Sequence, residues 1–351
     1  MIQKPPDHIK TKFDKIGILL INLGTPENTD YWSMRKYLKQ FLSDRRVIDV
    51  FKPLWWLILN GPILAFRPQK SGKAYKRIWD KKKGSPLRYI TESQLNKIQD
   101  KFKSNDSLIF DYSMRYGKPS INEKLELLFQ KGCSKLLILP LYPQYSASTT
   151  ASVQDEVFKW LLKKRWQPSI RTIAPWFDDN KYITNIANSI QESFKKTGKP
   201  EHLIVSFHGV PRRYLLLGDP YHCHCQKTGR LIKEKLKWPD NKFTVSFQSR
   251  FGPEEWLKPY TEETLIELAR NGTKKISIIS PGFVTDCLET LDEIKNEALE
   301  TFQEHGGKNL DYINCLNDGE EGISLLSKLI QNNIKGLIKL KLIPSFNIIL
   351  N

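Results

Sequence analysis

The amino-acid sequence predicts an α/β fold in which two similar lobes each contain a parallel β-sheet flanked by helices. Three observations lead to this prediction. Short, nearly continuous apolar runs alternate with amphipathic stretches, as is typical of parallel sheets covered on both faces. Three segments of the first half recur in the same order in the second half. The 351 residues also suffice for two domains of about 150 residues each.

Apolar runs predict strands, and the amphipathic stretches between them predict helices. The strands are Ile16–Leu23, Leu108–Tyr112, Lys135–Leu139, Ile170–Ile173, Leu203–Phe207, Phe243–Phe247 and Ile276–Ile279. The helices lie near residues 28–43, 121–131, 148–164, 180–197, 225–236, 261–271, 286–304 and 319–334. Because parallel strands need a long crossover connection, this alternation predicts parallel pairing.

An internal repeat supports the two lobes. Residues 17–26 align with 202–211, 113–117 with 248–252, and 121–139 with 261–279. The repeat predicts an N-terminal lobe at 15–172, which includes an apolar segment at 51–66, and a C-terminal lobe at 173–333. A flexible extension at 1–14 and a tail at 334–351 flank the two lobes.

The composition is globular and strongly basic. Lys and Arg number 55 against 38 Asp and Glu, which gives a net charge of +17. The lysines are scattered and no nucleic-acid-binding motif is visible, which argues against nucleic acid as a partner. Five cysteines without an apolar leader predict reduced thiols and a cytoplasmic location. The same charge also suits peripheral contact with an anionic membrane surface.

The two copies differ most where chemistry can occur. Leu23 ends the first strand of one copy, and His208 has the matching place in the other. Since the scaffold accepts leucine there, it does not require an imidazole. Histidine can accept a proton or bind a metal near neutral pH. Ligands of parallel sheets bind outside the carboxyl ends of the strands, so we predict that His208 lies in a site.

A file of acids follows the strand predicted at 276–279. Its members are Asp286, Glu289, Glu293 and Glu297. On a helix, residues spaced by four share one face, with steps of about 6 Å. The file is either a solvated acidic face or a path for divalent cations or protons.

The HCHC run at 222–225 carries residue types that bind metals. A closed zinc site needs four ligands, usually from two separated pairs, and no second pair with suitable spacing follows. The run is therefore either a metal site or a loop with reduced thiols. The sequence lacks the glycine-rich dinucleotide motif, the phosphate loop and the serine nucleophile elbow, which argues against those three chemistries.

The segment 51–66 is rich in aromatic and aliphatic residues, but Asn60, Gly61 and Pro62 interrupt it. Crossing a bilayer takes about 20 apolar residues, so no transmembrane helix is predicted. The segment is either core or an amphipathic lip that meets an anionic interface or a flat apolar ligand. The lip candidates are Trp55, Trp56, Leu57 and Phe66.

Motifs along nearly the whole chain carry a family resemblance. They are INLGTP (21–26), FLSDRRVID (41–49), GSPL (84–87), MRYGKP (114–119), LYPQYSASTT (141–150), SFHGVP (206–211), GDPY (218–221), FQSRFGPEEWLKP (247–259) and TDCLETLDEI (285–294). With these motifs, residues 16–333 resemble the ferrochelatases, which insert ferrous iron into protoporphyrin IX in the last step of haem synthesis. The resemblance implies two Rossmann-like lobes of the chelatase type, with an active-site cleft between them.

The resemblance also implies roles for single residues. His208 and Glu289 fall on catalytic and metal-binding positions, and Glu293 and Asp286 on a proton or metal relay. The positions that line or frame the porphyrin are Leu23, Tyr75, Arg115, Tyr116, Trp256 and Phe283. Some members have a histidine at the position of Cys287, so no role is carried over there.

The resemblance further implies that the chain binds no cofactor permanently. Members with a [2Fe–2S] cluster use C-terminal cysteines and one at the position of Ala147, so we expect no such cluster. Two alternatives stay open. One is a chelatase of coproporphyrin or sirohydrochlorin, and the other is a tetrapyrrole carrier, which would need the cleft but not the file of acids.

Overall fold

Two parallel four-stranded sheets organise residues 14–337, the part of the chain that the computed structural model describes. The strands are β1 (Lys15–Thr25), β2 (Leu108–Gly117), β3 (Cys133–Pro140), β4 (Ser169–Thr172), β5 (His202–His208), β6 (Phe243–Gln248), β7 (Lys275–Ile279) and β8 (Asn309–Ile313). The strand order is β2-β1-β3-β4 in one sheet and β6-β5-β7-β8 in the other. The two halves thus share one topology, and the predicted α/β fold is confirmed.

Helices connect the strands within each half. They are α1 (Tyr31–Leu42), α2 (Lys52–Ile58), α3 (Leu64–Ile78), α4 (Pro86–Lys101), α5 (Ile121–Gln130), α6 (Ser152–Leu161), α7 (Asn180–Thr197), α8 (Arg212–Leu216), α9 (Tyr221–Leu236), α10 (Thr261–Arg270), α11 (Leu288–Leu291), α12 (Ala298–Glu304) and α13 (Glu320–Ile334). Wide π-helical turns occupy Leu59–Ile63, Ala147–Ala151 and Glu293–Glu297. Asp30 caps α1 by accepting hydrogen bonds from the main-chain N–H groups of Trp32 and Ser33, as aspartate commonly does at the start of a helix.

Alternating side chains of the strands fill separate cores. In β1, Ile18 and Leu20 belong to a core that residues of both sheets share, and Leu19 and Ile21 face a second core under α5 and α6. In β5, Val205 likewise belongs to the shared core. Helices α4, α7, α9 and α13 all contribute to the shared core, so it joins the two sheets. Parallel strands buried on both faces explain the nearly continuous apolar runs in the sequence.

Relative to the sequence repeat, the β1–β2 pair and the β5–β6 pair differ in strand register. Gly24 of β1 pairs with Tyr116 of β2, and His208 of β5 pairs with Gln248 of β6. Because Gly24 matches Gly209 in the repeat, Arg115 is the spatial counterpart of Gln248. The sequence alignment, which matches 113–117 with 248–252, is therefore displaced by two residues from the spatial match.

Helix α13, which ends the C-terminal lobe, contacts both lobes. It packs against α4 and β3 of the first lobe and against α7. Arg171 of β4 donates to the main-chain carbonyl of Lys335, just beyond the end of α13, at 3.0 Å. The lobe boundaries stay a prediction. Nearly all of the predicted extension (1–14) and most of the predicted tail (334–351) lie outside the described residues.

Candidate active site

His208 ends β5 and is half-buried. Glycine is required next to it, because a Cβ atom on Gly209 would lie 2.8 Å from the carbonyl oxygen of Gln248. The His208 Nδ1 atom is 2.7 Å from the carbonyl oxygen of Gly209. Since a carbonyl can only accept, Nδ1 carries the hydrogen, and in the neutral imidazole Nε2 holds the free lone pair. The ring centroid of Trp256 lies 6.4 Å from that of His208.

Glu289 lies in the short helix α11, and its side chain is half-buried. The Cys287 N–H donates to the Thr290 hydroxyl at 3.0 Å, which begins the helix. The neighbouring Leu288 packs against a hydrophobic cluster formed by α1 and α3 of the first lobe. Helix α11 therefore holds Glu289 against the opposite lobe.

The charge of Glu289 acts on three tyrosines of the first lobe. Burial, together with the charge of Glu289, raises the pKa of Tyr37, Tyr75 and Tyr142 above the ordinary value. The phenols are therefore neutral at physiological pH and cannot compete as anions for a cation. The Tyr142 hydroxyl is buried and has no hydrogen-bond partner among residues 14–337.

Glu293 begins the wide turn after α11. Burial, with the nearby Glu289 carboxylate, raises its pKa to about 8, and Glu297 and Asp292 act in the same direction. The Ser249 hydroxyl donates to Glu293 Oε2, which lowers the pKa in part. A carboxyl with this pKa exchanges its proton readily near neutral pH.

The other predicted acids have protein partners. Asp286 is buried and accepts hydrogen bonds from the Tyr312 hydroxyl at 2.5 Å and the Asn317 amide at 2.6 Å. Glu297 is exposed and pairs with Arg77 at 2.8 Å. The continuous helical file is thus wrong, because the chain forms a wide turn after α11. The hydrogen bonds of Asp286 favour a structural role over the expected place in a relay.

The predicted porphyrin-lining residues fall into two groups. Leu23, Trp256 and Phe283 are half-buried near the ends of the strands, and Tyr75 is buried against the cluster of α1 and α3. Arg115 and Tyr116 are buried and turned to Asp44, whose carboxylate lies 2.5 Å from the guanidinium and 2.8 Å from the phenol. The second group is therefore bonded within the first lobe.

A polar cavity of about 920 Å³ lies beside these framing residues. Its lining includes Asp44 and Arg115 of the first lobe and Tyr214 and Asp219 of the second. The cavity is therefore shared by the two lobes.

The predicted lip is mostly exposed. Helix α2 has no buried residue, and Trp56, Leu57 and Phe66 are 64%, 62% and 76% exposed. Trp55 differs, because its indole N–H donates to the Leu42 carbonyl at 2.7 Å and its ring packs inward. Among residues 14–337, no helix has the length and apolar character needed to cross a membrane.

The HCHC run forms the start of α9, and its side chains diverge. His224 stacks on Phe177 and accepts the Tyr145 main-chain N–H at 3.1 Å, and Cys225 is buried. Within the described part of the chain, no three His, Cys, Asp or Glu side chains are arranged to hold a metal ion. The run is therefore a helical segment with reduced thiols, and not the metal site that the sequence left open.

Sequence reasoning missed several residues around Glu289 and Glu293. The charge of Glu289 acts on Tyr37 and Tyr142 of the other lobe. Gln248, the last residue of β6, and Ser249, the next residue, donate hydrogen bonds to the acidic segment. Arg67 of α3 lies near Glu293, and its guanidinium stacks on Phe251 at 4.6 Å. The available signals were two of the family motifs, since 141–150 contains Tyr142 and 247–259 contains Gln248 and Ser249.

Comparison with known proteins identifies the family. The family model described as Ferrochelatase matches residues 15–334. The ferrochelatase of Allorhizobium ampelinum is 49% identical over 336 residues, 95% of this chain and 98% of that protein. The ferrochelatase of Brucella ovis is 47% identical over 335 residues, 95% of each chain.

Solved structures share the fold. SirB from Bacillus subtilis with Fe3+ superposes with a TM-score of 0.52 at 12% identity, over 92% of this chain and 98% of that one. CbiX, the terminal enzyme for biosynthesis of siroheme in denitrifying bacteria, gives 0.52 at 12% identity, over 90% and 98%. Both likenesses establish the chelatase-type fold. With the family model and the close relatives, they show that this chain belongs to the ferrochelatase family.

Proposed function

We propose that this chain, a metal chelatase of the lyase class, inserts Fe²⁺ into protoporphyrin IX with His208 and Glu289 as its catalytic residues. The observation that carries the proposal is the surroundings of Glu289. Its neighbour Leu288 packs against the α1 and α3 cluster of the first lobe, and Gln248, the register partner of His208, donates to the main-chain carbonyl of Glu289. The relatives' names supply the reaction.

The reaction exchanges one dication for two protons. Free porphyrin carries two pyrrole N–H groups, and Fe²⁺ displaces both protons as it binds the four nitrogens. A neutral His208 with its lone pair on Nε2 can accept a pyrrole proton or hold the metal. The Glu289 carboxylate supplies a hard oxygen ligand and a negative charge for the incoming cation.

Glu293 suits a proton relay behind Glu289. Its raised pKa, about 8, lets it hold a proton reversibly under neutral conditions. The charge of Glu289 acts on the Glu293 carboxyl, and the Ser249 hydroxyl donates a hydrogen bond to it. We assign Asp286 to positioning of α11, since the Thr290 hydroxyl donates to it at 3.0 Å.

The cleft would hold the macrocycle by apolar contact. Leu23, Trp256 and Phe283 offer half-buried apolar faces, and Tyr75 lies beneath. Binding the ring in a bent shape would expose the pyrrole lone pairs and resemble the transition state. The chain would work without a resident cluster, because Ala147 offers no thiol at the matching position.

Helix α2 and Phe66 would bring the cleft to a lipid surface. Exposed Trp56 and Leu57 lie beside the basic residues Lys52 and Arg67. Aromatic and basic side chains together suit an anionic interface. The proposal is therefore a cytoplasmic enzyme in peripheral contact with a membrane, where an apolar substrate can enter.

Substitution of the catalytic residues tests the proposal. His208→Ala and Glu289→Gln should each lower kcat for Fe²⁺ or Zn²⁺ insertion by about 10²-fold or more, because each removes a proton or metal acceptor. Porphyrin binding, measured by fluorescence titration, should persist. Insertion is followed anaerobically by the porphyrin absorbance.

Matched controls come from the same lobe. His305→Ala removes a histidine bonded to the Thr301 carbonyl in α12, and Glu300→Gln removes an exposed acid of the same helix. Both should keep near wild-type kcat. A His208 or Glu289 variant with most of its activity would contradict the assignment. A wild-type protein that shifts the porphyrin spectrum without turnover would be a carrier, and faster turnover of coproporphyrin would change the substrate.

A further inference from the structure

The last residue of β6 touches the main chain of both proposed catalytic segments. Gln248 is the register partner of His208, and its carbonyl accepts the Gly209 N–H at 2.8 Å. Its side-chain Nε2 donates to the main-chain carbonyl of Glu289, also at 2.8 Å. One residue therefore connects the strand that carries His208 to the helix that carries Glu289.

Hydrogen bonds hold the Gln248 amide in one orientation. The side chain is buried, and its Oε1 accepts hydrogen bonds from Ser206 at 2.7 Å and Ser280 at 3.3 Å. Ser206 in turn lies 2.9 Å from the Thr261 hydroxyl. With two hydroxyl donors on Oε1, the amide must present Nε2 to Glu289. Rigid buried networks of this kind fix geometry well.

The next residue continues the same contact. Ser249 has a φ of +66°, a left-handed conformation that non-glycine residues rarely adopt. In this conformation its hydroxyl donates to the Glu293 carboxylate. Such backbone strain is concentrated at functional sites, where surrounding contacts maintain it. The last residue of β6 and the residue that follows it thus hold two successive turns of the acidic segment.

The first lobe lacks this connection. There, the residue opposite Leu23 is Arg115, since Asn22 pairs with Met114 and Gly24 with Tyr116. The Arg115 guanidinium bonds to Asp44 and Ser152 of its own lobe. The lobe without the imidazole is therefore also the lobe without the bridging amide.

We propose that Gln248 is a positioning residue that sets the location of Glu289 relative to His208. It acts through the Glu289 main chain and does not itself contact the substrate. The inference rests on the proposed function, in which both residues act on one porphyrin. Displacing a catalytic group by about 1 Å can reduce the rate by about 10²-fold, so a lost bridge should reduce turnover more than binding.

The test compares two variants with a matched control. Gln248→Met keeps the length of the side chain and removes the amide. Gln248→Asn keeps an amide but is one methylene too short to span from β6 to α11. Asn185→Leu is the control, because Asn185 is a buried amide that donates at 2.8 Å to the carbonyl of Glu321, the second residue of α13. Glu289 is likewise the second residue of α11.

We expect both Gln248 variants to lower kcat for Zn²⁺ insertion by about tenfold or more, with KM and porphyrin affinity within about twofold of wild type. Asn185→Leu should lower the melting temperature by about as much as the Gln248 variants do, and it should leave kcat unchanged. If Gln248→Met folds poorly, Gln248→Asn gives the result.

Two outcomes would overturn the inference. One is a Gln248 variant with more than about half of wild-type kcat while Glu289→Gln is inactive. The other is an equal kcat loss in Asn185→Leu, which would reduce Gln248 to general stability. An active Glu289→Gln would instead refute the proposed catalytic residues, so the two failures are distinguishable.

Discussion

At the scale of the residue, the protonation of Glu293 is the clearest consequence of the site. Burial and the neighbouring Glu289 raise its pKa from 4.5 to about 8. A carboxyl whose pKa is higher in the folded state stabilises the fold at low pH, below its unfolded pKa. This contribution is lost as pH rises through the folded pKa. The folded protein therefore keeps a buried proton at neutral pH and becomes less stable as that proton leaves.

Glu293→Gln should remove this dependence. At pH 5 the variant and the wild type should differ little, and at pH 8.5 the variant should be more stable by roughly 1–3 kcal/mol. Urea unfolding at both pH values measures the difference. Glu300→Gln, an exposed acid of α12, should show no such growth. A gain for Glu293→Gln that is equal at both pH values would contradict the prediction.

The sequence predicted His208 and Glu289 as site residues but could not predict Gln248. A polar residue at the end of an apolar strand has no distinctive pattern, and its importance depends on the β5–β6 register. Tyr37 and Tyr142 were missed for a similar reason, because they approach Glu289 from the other lobe. Residues on distant elements meet only after the lobes pack together.

At the scale of the element, the pattern of apolar residues predicted the strands and helices whose positions depend on apolar burial. All seven predicted strands exist, and most of them are buried by covering layers, although β4 is a partly exposed edge strand. Strand β8 was missed because its sequence, NLDYI, contains two polar residues and forms a partly exposed edge. The predicted helix at 286–304 is instead α11, a wide turn and α12. A four-residue repeat cannot reveal a turn in which the Glu297 N–H donates to Asp292, five residues earlier, at 2.9 Å.

Contacts from the first lobe accompany that turn. The Arg77 Nε lies 2.6 Å from the buried carboxylate of Asp292, and the same guanidinium binds Glu297. Asp292 is thereby bound to Arg77 of the first lobe, while the charge of Glu289 acts on Glu293. The wide turn is thus one reason why, of the predicted acids, Glu289 and Glu293 act together.

Helix α2 leads to a prediction about membranes. If its exposed apolar face meets lipid, replacing Trp56, Leu57 and Phe66 together by serine should weaken sedimentation with anionic vesicles by about tenfold or more, since each buried side chain contributes about 1.5–3 kcal/mol. Leu162→Ser is the control, because Leu162 is 81% exposed outside this segment. Equal vesicle binding by the triple variant and the wild type at low salt would refute the contact.

At the scale of the whole molecule, the two lobes are joined by polar contacts as well as by a core. Asn22 of β1 donates to Thr91 at 3.1 Å and to Thr285 of the second lobe at 3.3 Å. Gln94 of α4 accepts from Thr285 at 3.2 Å and donates to the Asn317 carbonyl at 2.9 Å. The side chains of Asn22, Thr91, Gln94 and Thr285 are buried, and this hydrogen-bond network joins the two lobes next to the acidic segment.

The shared core predicts that the lobes unfold together. Residues of β1, β3, β5 and α13 belong to one contiguous core, so neither lobe can open without exposing apolar surface of the other. We expect one calorimetric transition whose measured enthalpy equals the van't Hoff value. Leu326→Ala in α13, where the side chain is fully buried, should lower the free energy of unfolding by about 2–5 kcal/mol.

The variant distinguishes a joint core from two independent ones. If the lobes share their stability, Leu326→Ala shifts the single transition as a whole, and tryptophan fluorescence and far-ultraviolet circular dichroism move together. Two resolved transitions, of which only one moves with the variant, would show that the lobes fold separately. In that case α13 would stabilise one lobe alone, and the distance across the cleft would be free to vary during turnover.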